Sequence, residues 1–171
     1  FVSFVIHYCV SPQKYFIFTI YLMRMIENNF KMVAKTLFGF EELLARELTQ
    51  LGAQDVKIGV RNVTFVGDKG FMYKANLALR TAIKILKPIK TFRVINEEDL
   101  YKQVYKMDWN QYLKPSGSLA IDATVHSTQF THSQYIALKT KDAIVDKFRD
   151  TTGERPNVDL RFPDLKVNVH I

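Results

Sequence analysis

The chain has 171 residues, 47% of them hydrophobic and 24% charged, which places it among globular proteins of one ordinary domain or two small ones. Lysine and arginine outnumber aspartate and glutamate by 24 to 17, a basic balance that points to an acidic partner, nucleic acid before anionic membrane. A lone cysteine, Cys9, excludes an intramolecular disulfide and a cysteine-based zinc site, which agrees with a cytoplasmic, reducing setting.

Residues 1–23, FVSFVIHYCVSPQKYFIFTIYLM, are dense in aromatic and β-branched side chains. Pro12, Gln13 and Lys14 divide this run, so it falls short of the roughly 20 continuous apolar residues a membrane helix needs. Neither a basic start nor a small-residue cleavage site marks a secretory signal. Since the chain opens on Phe1, residues 1–31 are expected to be a non-native or disordered leader, translated from upstream of a start at Met23, Met25 or Met32. The alternative is a membrane anchor.

Val33 to Leu37 reads as a short strand. GFEELLARELTQLG then places Phe40, Leu43, Leu44, Leu48 and Leu51 on one helical face. Glu41 and Glu42 put negative charge in its first turn, Glu42 and Arg46 are spaced as an i,i+4 pair, and Gly52 closes it. Val56, Ile58 and Val60 alternate along the next strand, and Val63 and Phe65 along its partner, with the hairpin turn expected at Arg61-Asn62. A second helix follows Asp68, with Phe71, Ala75, Ala78, Leu79 and Ala82 on its apolar stripe. IKILKPIKTFRV is extended, and Pro88 within it demands an edge or a bulge. The order over residues 32–95 is therefore β-α-β-β-α-β, the ferredoxin-like split arrangement.

A second unit, residues 96–171, begins with Asn96 as the N-cap of a helix carrying Leu100, Val104 and Met107. Trp109 and Tyr112 precede the breaker KPSGS. Leu119, Ile121, Ala123 and Val125 then alternate with Ala120, Asp122, Thr124 and His126, the pattern of a strand with one buried face. A long helix is expected over about Ser133 to Asp150, with Gly153 beyond its end, and LKVNVHI forms a last strand. Its alternation runs to Ile171 without a closing turn, so a truncated second domain is expected.

Catalytic and cofactor signatures are missing from the sequence. No two glycines form a Gly-x-Gly pair, and there is no nucleophile elbow, Walker loop or His-Glu-x-x-His helix. No catalytic residue, metal site or cofactor site is therefore assigned to this chain. His126 and His170 fall on polar rows of strands and are expected to be exposed. One position on the long helix breaks its pattern. Lys141 falls inside the apolar arc of Ala137, Leu138, Ile144, Val145 and Phe148, so it snorkels, faces a phosphate, or pairs internally with Asp159 or Asp164. Lys139, Arg149, Arg155, Arg161 and Lys166 arise from the same helix–loop–strand region, and converging cations are what phosphate recognition requires. Asn157, in the proline-restricted loop Arg155-Pro156-Asn157-Val158-Asp159, adds a donor and acceptor for phosphate, ribose or base edges. The other reading of that loop is a tight connector whose polar side chains satisfy its own backbone.

Four ordered blocks, GFEELLARELTQLGA, VTFVGD, SQYIALKTKDAIVDKF and RPNVD-x-x-x-PDLKVNVHI, closely resemble the bacterial 23S rRNA guanine-N2 methyltransferases of the THUMP-containing class. Members are often labelled N6-adenine-specific DNA methylases, and the resemblance covers about Met32 to Ile171. It implies a ferredoxin-like domain followed by an incomplete THUMP α/β domain that binds RNA. It also implies a downstream methyltransferase domain of the same polypeptide that holds S-adenosylmethionine. The sequence departs from the family pattern in two places. The Arg61-Asn62 turn lacks the expected glycines, and Leu160 stands where a charged residue is expected. The reading is an RNA-binding module that positions 23S rRNA, with Lys139, Lys141, Arg155, Asn157, Arg161 and Lys166 as its contacts. Alternatives are the THUMP module of a tRNA-modifying enzyme and a protein–protein interaction module.

Overall fold

The computed structural model of this chain describes residues 2–7 and 29–171. In chain order the elements are β1 (Val2–His7), β2 (Phe30–Lys35), α1 (Glu41–Leu51), β3 (Gln54–Gly59), β4 (Asn62–Gly67), α2 (Lys69–Ala78) and β5 (Lys84–Phe92). They continue with α3 (Glu97–Tyr105), a short 3-10 turn (Trp109–Gln111), β6 (Ser118–Thr124), α4 (Ser133–Thr152), β7 (Asn157–Val158) and β8 (Leu165–His170). The described residues divide into two units, one of residues 29–88 and one of residues 2–7 with 89–171.

The first unit has the expected β-α-β-β-α-β order. Its strands lie β3-β4-β2-β5, each neighbouring pair antiparallel, as the ferredoxin-like arrangement requires. β2 starts at Phe30, inside the stretch set aside from sequence, and Met32 and Ala34 point into the core. Lys87 lies over the Phe30 ring, 3.9 Å from its centroid. Pairing of β5 with β2 covers Lys84 to Leu86 and stops short of Pro88, which has no N–H to give to a ladder.

The first helix is turned relative to the stripe expected from hydrophobicity. α1 buries Leu44, Ala45 and Leu48, whereas Phe40 and Leu43 remain nearly half exposed. Gly52 ends it in the left-handed region at φ 100°, its N–H returning to the carbonyls of Leu48 and Thr49. Asp68 caps α2 by accepting from the Phe71 N–H at 2.6 Å, and Met72 and Ala75 are that helix's buried residues.

The hairpin turn sits one residue earlier than expected. Gly59 pairs with Asn62, so Val60 and Arg61 form the two-residue loop, and Arg61 takes the left-handed conformation at φ 55°. Surrounding bonds hold this non-glycine there. Glu41 accepts the Arg61 N–H at 2.9 Å and the Gly39 N–H at 2.7 Å, and Thr36 N–H donates to the Arg61 carbonyl at 3.1 Å.

In the second unit the strand order is β1-β8-β6-β7. β8 runs parallel to β6, with Leu119 opposite Leu165 and Ile121 opposite Val167, and antiparallel to β1. Val2–His7, within the proposed leader, thus forms a strand; residues 1 and 8–28 of that leader lie outside the described residues. Asn96 caps α3 as expected, accepting from the Asp99 N–H at 2.8 Å. Leu100, Val104, Trp109, Ile136, Ile144, Phe148, Val167 and Val169 build one core between the helices and the sheet. Trp109 is fully buried, and its indole N–H finds the Val104 carbonyl at 2.9 Å.

α4 runs for 20 residues and closes at Gly153, whose φ of 74° is the left-handed stop expected there. Its buried residues are Ile136, Thr140, Ala143, Ile144, Val145 and Phe148. Ile144, Val145 and Phe148 of the arc read from sequence are thus buried, whereas Leu138 of that arc is 48% exposed and Thr140, outside it, is fully buried.

Candidate nucleic-acid interface

The six residues singled out from sequence are spread over a helix, a connection and a strand. Lys139 and Lys141 sit in the first half of α4, and Lys141 lies about 16 Å of helix rise before the C-terminal end of that helix. Arg155, Asn157 and Arg161 lie in the connection that follows, and Lys166 is the second residue of β8.

Acidic partners divide these cations further. Lys139 is bonded to Glu98 of α3, which holds the Glu98 carboxyl below its usual range and raises the Lys139 ammonium. Lys141 pairs with its neighbour Asp142 at 2.8 Å. This corrects the expected partners, for Asp159 and Asp164 are engaged elsewhere. The Lys141 side chain is 24% exposed, at the margin of the buried stripe rather than within it. Lys166 meets Asp122 on the adjacent strand at 3.0 Å, and Arg149 meets Asp146 at 2.9 Å. By contrast, Arg155 and Arg161 are exposed and form no ion pair among the described residues.

The loop bearing those two arginines is held by its own acids. The Asp159 carboxylate accepts from the Arg161 N–H at 2.8 Å and the Phe162 N–H at 3.1 Å. The Phe162 and Arg161 N–H groups keep its carboxyl below the ordinary aspartate range. Asp164 accepts from the Ser118 N–H and hydroxyl, each at 3.0 Å, at the start of β6. Parallel pairing of β7 with β6 adds Asn157 N–H to the Gly117 carbonyl at 3.0 Å and Asp159 N–H to the Leu119 carbonyl at 3.2 Å. Pro156 is buried, while the Asn157 side chain stays exposed. The aspartates thus satisfy backbone groups, as the connector reading expects, and the two arginines are exposed.

Two features were not among the site residues proposed from sequence. Leu160 and Phe162 flank Arg161 and are 77% and 83% exposed. The signal was there, since apolar residues in a proline-bounded polar loop have no core to join. The second feature is a ladder between α3 and α4. Tyr101 and Tyr105 stack with centroids 6.2 Å apart, and their hydroxyls donate to Asp146 at 2.7 Å and Asp150 at 2.9 Å. The bond to Asp146, with burial, pushes the Tyr101 hydroxyl up to about 12. Lys139 and Lys147 lie over the two rings, 5.3 and 5.1 Å from their centroids. A shallow groove of about 320 Å³ follows this ladder, lined by Tyr101, Lys102, Tyr105, Lys106 and Asp150.

Among the described residues no cluster of His, Cys, Asp or Glu could hold a metal ion, and no helix is long and apolar enough to cross a membrane. His126 is exposed as expected, but His170 is half-buried, because β8 has neighbours on both sides.

Residues 94–171 match the THUMP domain family, and residues 31–86 match the RlmL ferredoxin-like domain. The chain carries an RlmL ferredoxin-like domain and a THUMP domain. It is 44% identical over 147 residues to the ribosomal RNA large subunit methyltransferase K/L of Cellvibrio japonicus, covering 86% of this chain and 19% of that protein. The crystal structure of SMU.472 complexed with SAH superposes with a TM-score of 0.72 at 26% identity, over 85% of this chain and 39% of that one. A likeness of fold extends to a predicted N6-adenine-specific DNA methylase from Listeria monocytogenes, with TM-score 0.71, 22% identity and coverages of 84% and 38%. The chain spans between 19% and 35% of the length of the curated relatives it matches. Within the THUMP domain, α4 and the loop to β8 carry all six residues proposed from sequence except Lys166, which opens onto the same loop from β8.

Proposed function

We infer that this chain is the RNA-holding, substrate-positioning part of an S-adenosylmethionine-dependent rRNA guanine-N2 methyltransferase, with 23S rRNA as its ligand. The observation that carries this reading is the THUMP loop after α4, whose aspartates are engaged by its own backbone and by Ser118 while Arg155 and Arg161 are exposed with no acidic partner among the described residues. Free guanidinium groups are what a phosphate backbone selects, and each neutralised phosphate adds a salt-dependent increment to affinity. Asn157 supplies an exposed amide beside them. Lys139, Lys141 and Lys166 serve as secondary contacts, since each must leave a carboxylate to reach a phosphate.

Chemistry belongs to another domain of the same polypeptide on this reading. The seven glycines here form no Gly-x-Gly pair, so these residues do not fit an S-adenosylmethionine loop. The contribution of this part is to hold the target guanine near the methyl donor. The test is the affinity of the 171-residue chain for a 23S rRNA fragment across a salt series. The logarithm of affinity should fall linearly with the logarithm of salt concentration. A flat response, or no binding, would remove the reading.

A further inference from the structure

We propose that the Leu160-Arg161-Phe162 tip of the THUMP loop is a stacking platform for an unpaired RNA base, so that the ligand is a single-stranded or looped element rather than continuous duplex. This rests on the RNA-binding reading and narrows it to a class of RNA structure.

Among the described residues Phe162 is the most exposed large apolar side chain, at 83%, and Leu160 is 77% exposed. Exposed apolar groups are ordinary when scattered singly, but here two flank, at the tip of one loop, a guanidinium with no acidic partner among the described residues. The tip is also pinned. Asp159 receives the N–H groups of both Arg161 and Phe162, Asp164 is tied to Ser118, and β7 is registered on β6. Phe162 is therefore presented by bonds that specify its backbone. A pre-ordered aromatic loses little entropy when a flat partner arrives.

Charge decides which flat partner fits. Two acids of the loop, Asp159 and Asp164, are spent on backbone and hydroxyl donors, whereas Arg155 and Arg161 are not paired with acids among the described residues. Glu154, at the loop's entry, is the remaining acid. A nucleotide offers what this surface lacks, a π-face for Phe162 and an adjoining phosphate for Arg161. Paired bases keep their faces inside the helix, so only an unpaired base can stack there.

The experiment uses the 171-residue chain, a synthetic RNA stem closed by a purine loop carrying 2-aminopurine, and the same stem fully paired. Phe162→Ala should weaken binding to the looped RNA on the order of tenfold and abolish the quenching of 2-aminopurine. It should leave binding to the paired stem, and the melting temperature, unchanged. Phe162→Trp should keep both affinity and quenching. Equal losses for the two RNAs, or no loss for either, would overturn the platform while leaving RNA binding in place. Intact RNA affinity with loss of self-association in Leu160→Ala/Phe162→Ala would assign the tip to a protein interface instead. Binding of neither RNA by the unmodified chain would remove the underlying reading together with this one.

Discussion

The Glu41 carboxylate, on the first turn of α1, accepts the main-chain N–H of Arg61 from 2.9 Å, twenty residues further along the chain. One acid thereby closes both the loop into α1, through Gly39, and the left-handed turn of the β3–β4 hairpin. Its carboxyl is held low by its own main-chain N–H and then by those of Arg61 and Gly39.

Two substitutions separate the turn's strain from its restraint. Glu41→Ala should lower unfolding stability, because two N–H groups lose a charged acceptor. Arg61→Gly should raise it by up to about 1 kcal/mol, since glycine adopts positive φ without steric cost. Urea denaturation of the two variants, with unchanged slopes, measures both effects.

Cations on the THUMP surface should rank by their acidic partners rather than by their number. Arg155→Ala and Arg161→Ala should each reduce the salt slope of RNA affinity by about 1. Lys139→Ala, Lys141→Ala and Lys166→Ala should each change it by less than half as much, because Glu98, Asp142 and Asp122 already compensate them. Filter binding of an rRNA fragment over a salt series reads the ranking directly.

The order of elements, the Asn96 cap and the glycine stops at Gly52 and Gly153 were legible in the sequence because each depends on local chemistry. Rotation about helix axes was not. On α4 the fully buried Thr140 looks polar in a hydrophobicity count, so the arc drawn without it slid onto Lys141 and Leu138. On α1 the small Ala45 faces the core while Phe40 and Leu43 do not, and residue size misled in the same way. Ion-pair partners were also out of reach, since Lys139 meets Glu98 only once α3 lies beside α4.

Thr140 offers a test of that burial. Its hydroxyl is fully buried and has no partner among the described residues. Thr140→Val keeps the shape and removes the unsatisfied group, so it should stabilise the chain by about 1 kcal/mol. Lys141→Ala should stay within about 0.5 kcal/mol, as expected of a marginal surface pair. Thermal unfolding of the two variants should shift in one and stay nearly fixed in the other.

Alkaline titration should expose the α3–α4 ladder. A tyrosine whose folded value is raised to about 12 favours the neutral form in the native state. Its stabilising contribution is therefore complete below the ordinary tyrosine value near 10 and is lost as pH rises through about 12. Tyr101→Phe should cost about 1 kcal/mol at neutral pH and remove one late-ionising group from the tyrosinate absorbance curve.

Beyond these variants, the placement of β8 governs how the THUMP fold is acquired. Its partners are Leu119–Thr124 on one side and Ser3–His7 on the other, so neither flank can be zipped by a simple hairpin. Until residues 165–170 have been synthesised, Leu165, Val167 and Val169 are missing from the core that α4 shares with α3 and β6, and chains still on the ribosome carry that core unfinished. Nascent chains paused just before Leu165 should be the form of this domain that chaperones hold most tightly.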